Sequence, residues 1–124
     1  MSVGWPACTK LHEFGSQIWS AFGQPPYQVG SSLDSSGGAR RDWFDVDVRL
    51  ILSDDEYEAL GLGDPKYPQQ SAKWVSLCWA YSELGKAMTG LPIDFQIQQQ
   101  TLANEEFKAQ PRSALGVVPL RIKR

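Results

Sequence analysis

A glycine–serine pair and three aspartates are the residues of this chain whose types and spacing suit chemistry. They are Gly30-Ser31, then Asp45-Val46-Asp47, then Asp94 inside Leu91-Pro92-Ile93-Asp94-Phe95-Gln96-Ile97. Carboxylates two apart on a strand project from one face, because side-chain direction alternates with period 2. A third carboxylate from a neighbouring strand can then converge on the same point. Three acidic groups crowded together repel each other unless a cation sits among them. Oxygen-rich clusters of this kind suit hard divalent ions, Mg2+ (or Mn2+) above all, which also take oxygens from a nucleotide's phosphates. Gly30 lets backbone approach a phosphate without a side-chain clash, and the Ser31 amide and hydroxyl offer donors to it.

These residues need strands and helices to hold them. Leu11, Phe14, Ile18, Trp19 and Phe22 follow the spacing of one buried helical face, predicting a helix from about Cys8 to Phe22 capped by Thr9 and ended by Gly23. Tyr27 to Val29 reads as a short strand, and Gly30 to Gly38 as a loop. Phe44 through Leu52 alternates, with Val46, Val48, Leu50 and Leu52 on one face and Asp45, Asp47, Arg49 and Ile51 on the other. Ser53 and Glu56 have the spacing of a capping box for a short helix ending near Gly61. Gly63 to Gln70 reads as a loop.

From Ser71 to about Thr89, Trp74, Leu77, Cys78, Tyr81, Leu84 and Met88 form an apolar stripe, with Gly90 as the stop. Trp74, Trp79 and Tyr81 read as core or interface residues. Leu91 to Ile97 is a third strand, and Ala103 to Phe107 a short helix. The order helix, strand, strand, helix, strand predicts an α+β domain with a small mixed sheet packed with helices.

At 124 residues, one domain is expected, its core spanning about 8–110 and followed by a basic tail over 111–124 read as a solvated end. Arg112, Arg121, Lys123 and Arg124 make that tail basic, whereas half of the acidic residues lie between Asp42 and Glu58. A net charge of -2 argues against general DNA or RNA binding, which calls for a basic stripe. No window approaches the ~18 apolar residues of a membrane span, and no secretory leader is seen, so a cytoplasmic protein fits best. Cys8 and Cys78 form no metal or disulfide pattern. His12, the only histidine, reads as structural or solvated and leaves zinc or Ser-His-Asp chemistry unsupported.

The stretch Val29-Gly30-Ser31, thirteen intervening residues, then Asp45-Val46-Asp47-Val48 resembles the signature of the polymerase-beta-like nucleotidyltransferase superfamily. Asp94 looks like that superfamily's third acid. The resemblance spans roughly Leu11 to Ile97 and is closest to the minimal, stand-alone members and to uncharacterised phage and bacterial proteins of this type. It implies transfer of a nucleoside monophosphate from a nucleoside triphosphate to an acceptor hydroxyl. Asp45, Asp47 and Asp94 would be the catalytic, metal-holding acids. Gly30, Ser31, Ser32, Arg40 and Arg41 would contact the nucleotide.

The chain departs from the pattern in two places. Ser32 to Gly38 intervene before Ala39-Arg40-Arg41, and Phe44 stands where a serine often precedes the first aspartate. Arg49 shares a face with Asp45 and Asp47 and is a rival partner for them. Asp42 reads as a turn or cap residue. The acceptor is not identified; with only a short stretch after Asp94, it would be held by a partner subunit or across a homodimer. Two other functions stay open beside catalysis. One is a catalytically degenerate nucleotidyltransferase fold that binds a nucleotide or a partner, the other a structural phage or host-interaction protein.

Overall fold

The computed structural model describes residues 7–29, 45–107 and 112–116, which form an α+β fold. The alternating segment becomes strand β2 (Val46–Leu52). Val46, Val48, Leu50 and Leu52 are buried on one face, as their period of two requires. Strand β1 (Tyr27–Val29) pairs with β2 antiparallel, and β3 (Ile93–Gln99) pairs with it in parallel. Among the described residues the sheet has the order β3-β2-β1-β4, with β4 formed by Arg112–Ala114.

Helices α1 (Ala7–Phe22) and α3 (Ala72–Thr89) supply the apolar cover. Leu11, Phe14 and Ile18 of α1 are fully buried against Val46, Val48, Phe95 and their neighbours. Each such side chain contributes roughly 1.5–3 kcal/mol of transfer free energy. The Phe14 and Phe95 rings meet edge-on with centroids 6.4 Å apart, a favoured geometry for their quadrupoles. Thr9 lies inside α1 rather than at its cap. Gly23 does end the helix, its N–H donating to the Trp19 carbonyl at 2.8 Å.

Helix α3 buries the predicted stripe except at Leu84: Trp74 and Cys78 lie in the core and Leu77, Tyr81 and Met88 pack against it. Trp74, Cys78, Gly85 and Thr89 are its buried residues, while Leu84 is exposed. Gly85 carries no apolar side chain to advertise the position. Its bare backbone lets Ile93 and Phe14 close to 3.0 Å of where a Cβ would stand. Trp79 is not a core residue: it is 68% exposed on the outer side of α3, near exposed Val75. Ser71 caps the helix by accepting from the Trp74 N–H, and Gly90 ends it in the left-handed conformation at φ 75°.

As an edge strand β3 presents backbone groups that could pair with another chain. Side chains of α3, Ser82 and Trp74 among them, occupy some of these groups. Ser82 Oγ accepts from the Phe95 N–H at 2.9 Å, and Trp74 Nε1 donates to the Ile97 carbonyl at 2.8 Å.

The short helices follow directly on the parallel strands. Helix α2 (Asp54–Ala59) opens with the predicted capping box between Ser53 and Glu56. Helix α4 (Gln100–Phe107) begins three residues earlier than its sequence suggests. The Asp54 carboxylate accepts from the Thr101 N–H and hydroxyl, tying the two helices at their starts. Both pack against β2 and β3.

Residues 112–116, read as part of a solvated tail, belong to the sheet and core instead. β4 pairs antiparallel with β1, and Leu115 is buried. The Leu115 backbone comes within 2.9 Å of where a Cβ on Gly15 would stand. His12 is structural: its Nδ1 accepts from the Gly116 N–H at 3.1 Å. No helix among the described residues is long and apolar enough to cross a membrane.

Candidate metal centre

On the second face of β2 the pleat presents Asp45, Asp47, Arg49 and Ile51. Arg49 and Ile51 are buried, so the face stays open only at its beginning, where the aspartates stand. The parallel register sets Asp47 directly beside Asp94 of β3, and Arg49 beside Gln96. On the other side of β2, Asp47 is the register partner of Val29, the last residue of β1. Gly30-Ser31 therefore follow in sequence from a residue paired with the acidic site.

Asp45, Asp47 and Asp94 each bring one carboxylate oxygen into a group whose members all lie within 4.8 Å of one another. The three predicted acids thus converge. The donor set fits a hard divalent cation: bonds of about 2.1 Å place trans ligands about 4.2 Å apart. Burial raises the Asp47 carboxyl above the ordinary aspartate value of 3.8; Arg49 pulls it down, and the charges of Asp94 and Asp45 push it up again.

Arg49 forms the floor of the site. Its side chain is 11% exposed, against 25% for Asp47 and 34% for Asp94. NH1 donates to the backbone carbonyls of Asp94 at 2.7 Å and Val48 at 3.2 Å. NH2 lies 3.4 Å from Asp94 Oδ2 and 3.6 Å from Asp47 Oδ1. The sequence marks Arg49 as a rival for the aspartates, and the structure shows it beside two of them. What sequence reasoning missed is its anchorage to main-chain carbonyls, which depends on the register of β2 with β3.

Beyond Asp94 on the same strand face stands Gln96, about 6–7 Å along the pleat. It borders a groove of about 330 Å³ lined also by Tyr57, Lys66, Trp74, Gln98 and Leu102. Gly30, Ser31, Ser32, Arg40, Arg41 and Asp42 lie outside the described residues. Cys78 is buried in the core, where desolvation lifts its thiol to about 11. No family model, curated protein or solved structure matches the chain.

Proposed function

We propose that this chain is a metal-dependent nucleotidyltransferase, moving a nucleoside monophosphate from a nucleoside triphosphate to an acceptor hydroxyl. The observation that carries this reading is the convergence of Asp45, Asp47 and Asp94 on one point from two parallel strands. A divalent ion bound there would neutralise charge that grows on the attacking and leaving oxygens. Asp45 and Asp47 would orient the triphosphate through that ion. Asp94 would complete the set and take the proton of the acceptor hydroxyl. Val29, paired with Asp47, immediately precedes Gly30-Ser31 in sequence, and the resemblance assigns that pair to a phosphate contact. The resemblance adds Ser32, Arg40 and Arg41 to that contact.

A second reading is a catalytically degenerate fold that binds a nucleotide or a partner without turnover. The proximity of Arg49 to Asp47 and Asp94 favours it, because a guanidinium relieves the repulsion that otherwise calls for a metal. Turnover separates the two. Pyrophosphate release from ATP, GTP, CTP or UTP with Mg2+ and a pool of small hydroxylated metabolites is expected from the wild type. It is expected to vanish in Asp94→Asn, with folding intact. Equal release by both proteins would overturn the catalytic assignment.

A further inference from the structure

We propose that Arg49 is a built-in second cation, so that without nucleotide the acidic site takes one divalent ion rather than two. The inference rests on the metal-site reading above and concerns its stoichiometry. Three ionised carboxylates and one guanidinium carry a net charge of -2, which a single divalent ion balances. A second ion would then have to arrive with the negative charge of a bound triphosphate.

Geometry makes the guanidinium a permanent member of the site. Its short hydrogen bond runs to the Asp94 carbonyl at 2.7 Å, with the Val48 carbonyl as a second acceptor. Contacts with the carboxylates are longer, 3.4 and 3.6 Å. An ion entering among the carboxylates therefore leaves the main-chain anchors intact. Exposure also separates the two cations. Arg49 lies at the floor with Asp47 and Asp94 above it, and Asp45 stands exposed at the rim. An ion entering at the exposed Asp45 end would therefore add to the site without displacing Arg49 from its floor. Among the described residues the buried Arg49 Nε has no hydrogen-bond partner, so they leave this guanidinium not fully satisfied where it sits. An unmet donor on a buried charge is costly, and it is tolerated here beside three negative charges.

The test is a Mn2+ titration of the full chain without nucleotide, following the electron paramagnetic resonance signal of the free ion. One Mn2+ per wild-type chain is expected. Arg49→Met removes a like charge from beside the ion and is expected to bind Mn2+ about tenfold more tightly or to take a second ion. Arg49→Lys keeps the charge and is expected to stay at one ion with near-wild-type affinity. Should Arg49→Met fail to fold, the wild-type stoichiometry and Arg49→Lys still decide. Two ions in the wild type would overturn the role of Arg49 while leaving the metal-dependent reading in place. Binding only after Arg49→Met would mean that Arg49 replaces the ion altogether, overturning the one-ion site and the catalytic reading. No binding in any protein overturns both.

Discussion

Asp47→Asn is expected to stabilise the metal-free protein at neutral pH. The Asp47 carboxylate is three-quarters buried, 3.6 Å from one cation and within 4.8 Å of two other acids. Burial acts on it most strongly; Arg49 is the largest single charge effect and is opposed by both Asp94 and Asp45. Solvent screens the share of exposed Asp45, so the Coulomb terms nearly cancel and desolvation decides the sign. The net cost of the native charge is about 1 kcal/mol. Its pH dependence follows from the upward shift. A carboxyl raised in the folded state favours folding most when protonated, below the unfolded value, and loses that contribution as pH rises through the folded one. The variant should therefore be about 1 kcal/mol more stable than wild type in urea unfolding at pH 7, with the difference gone near pH 3. Saturating Mn2+ should reverse the order, because an ion that binds only the native site stabilises the protein holding it more tightly. A variant less stable than wild type at pH 7 without metal would refute the reasoning and show that Arg49 outweighs burial and repulsion.

Three further expectations concern the scaffold. Gly15→Ala places a Cβ 2.6 Å from the Leu115 Cβ and 2.8 Å from its carbonyl carbon; overpacking should outweigh the gain in helix propensity and cost a net ~2 kcal/mol in chemical unfolding. A loss below half that size would show that residues 112–116 shift aside cheaply. Trp74→Phe leaves the Ile97 carbonyl without its indole donor and should cost about 1–2 kcal/mol; combined with Ser82→Ala it should promote self-association by light scattering, since two of the α3 contacts that occupy the β3 edge are then lost. Cys78, with its thiol raised to about 11 by burial, should alkylate far more slowly at pH 8 than partly exposed Cys8 in a mass-resolved iodoacetamide time course. Equal labelling would contradict its burial.

Period and capping carry much of this fold in the sequence. The two-residue alternation from Val46 to Leu52, the Ser53–Glu56 box and the Gly90 stop are local signals, and each has its structural counterpart. What escaped depends on contacts between distant segments. Gly85 is central to the packing of α3 because it lacks a side chain, so a pattern of apolar residues passes over it and selects Leu84. β4 is three residues long and exists through its pairing with β1, too short to show a period. Leu115 is a single apolar residue whose burial depends on Gly15, a hundred residues earlier. In the site, the aspartates are legible from alternation and from the apolar frame of Asp94. Their convergence depends on the parallel register of β2 and β3, which no local pattern encodes. The same register brings the Asp94 carbonyl to Arg49, so a buried guanidinium anchored to main chain could be suspected only as a neighbour of acids.

Calorimetric titration of ATP, GTP, CTP and UTP in Mg2+ or Mn2+, wild type against Asp45→Asn/Asp47→Asn, decides whether the acidic site serves a nucleotide. At least one triphosphate is expected to bind the wild type only when the divalent ion is present, and not to bind the double variant. Binding that persists without metal or survives in the double variant, or no binding of any triphosphate, would contradict the reading of Asp45, Asp47 and Asp94 as a nucleotidyltransferase centre.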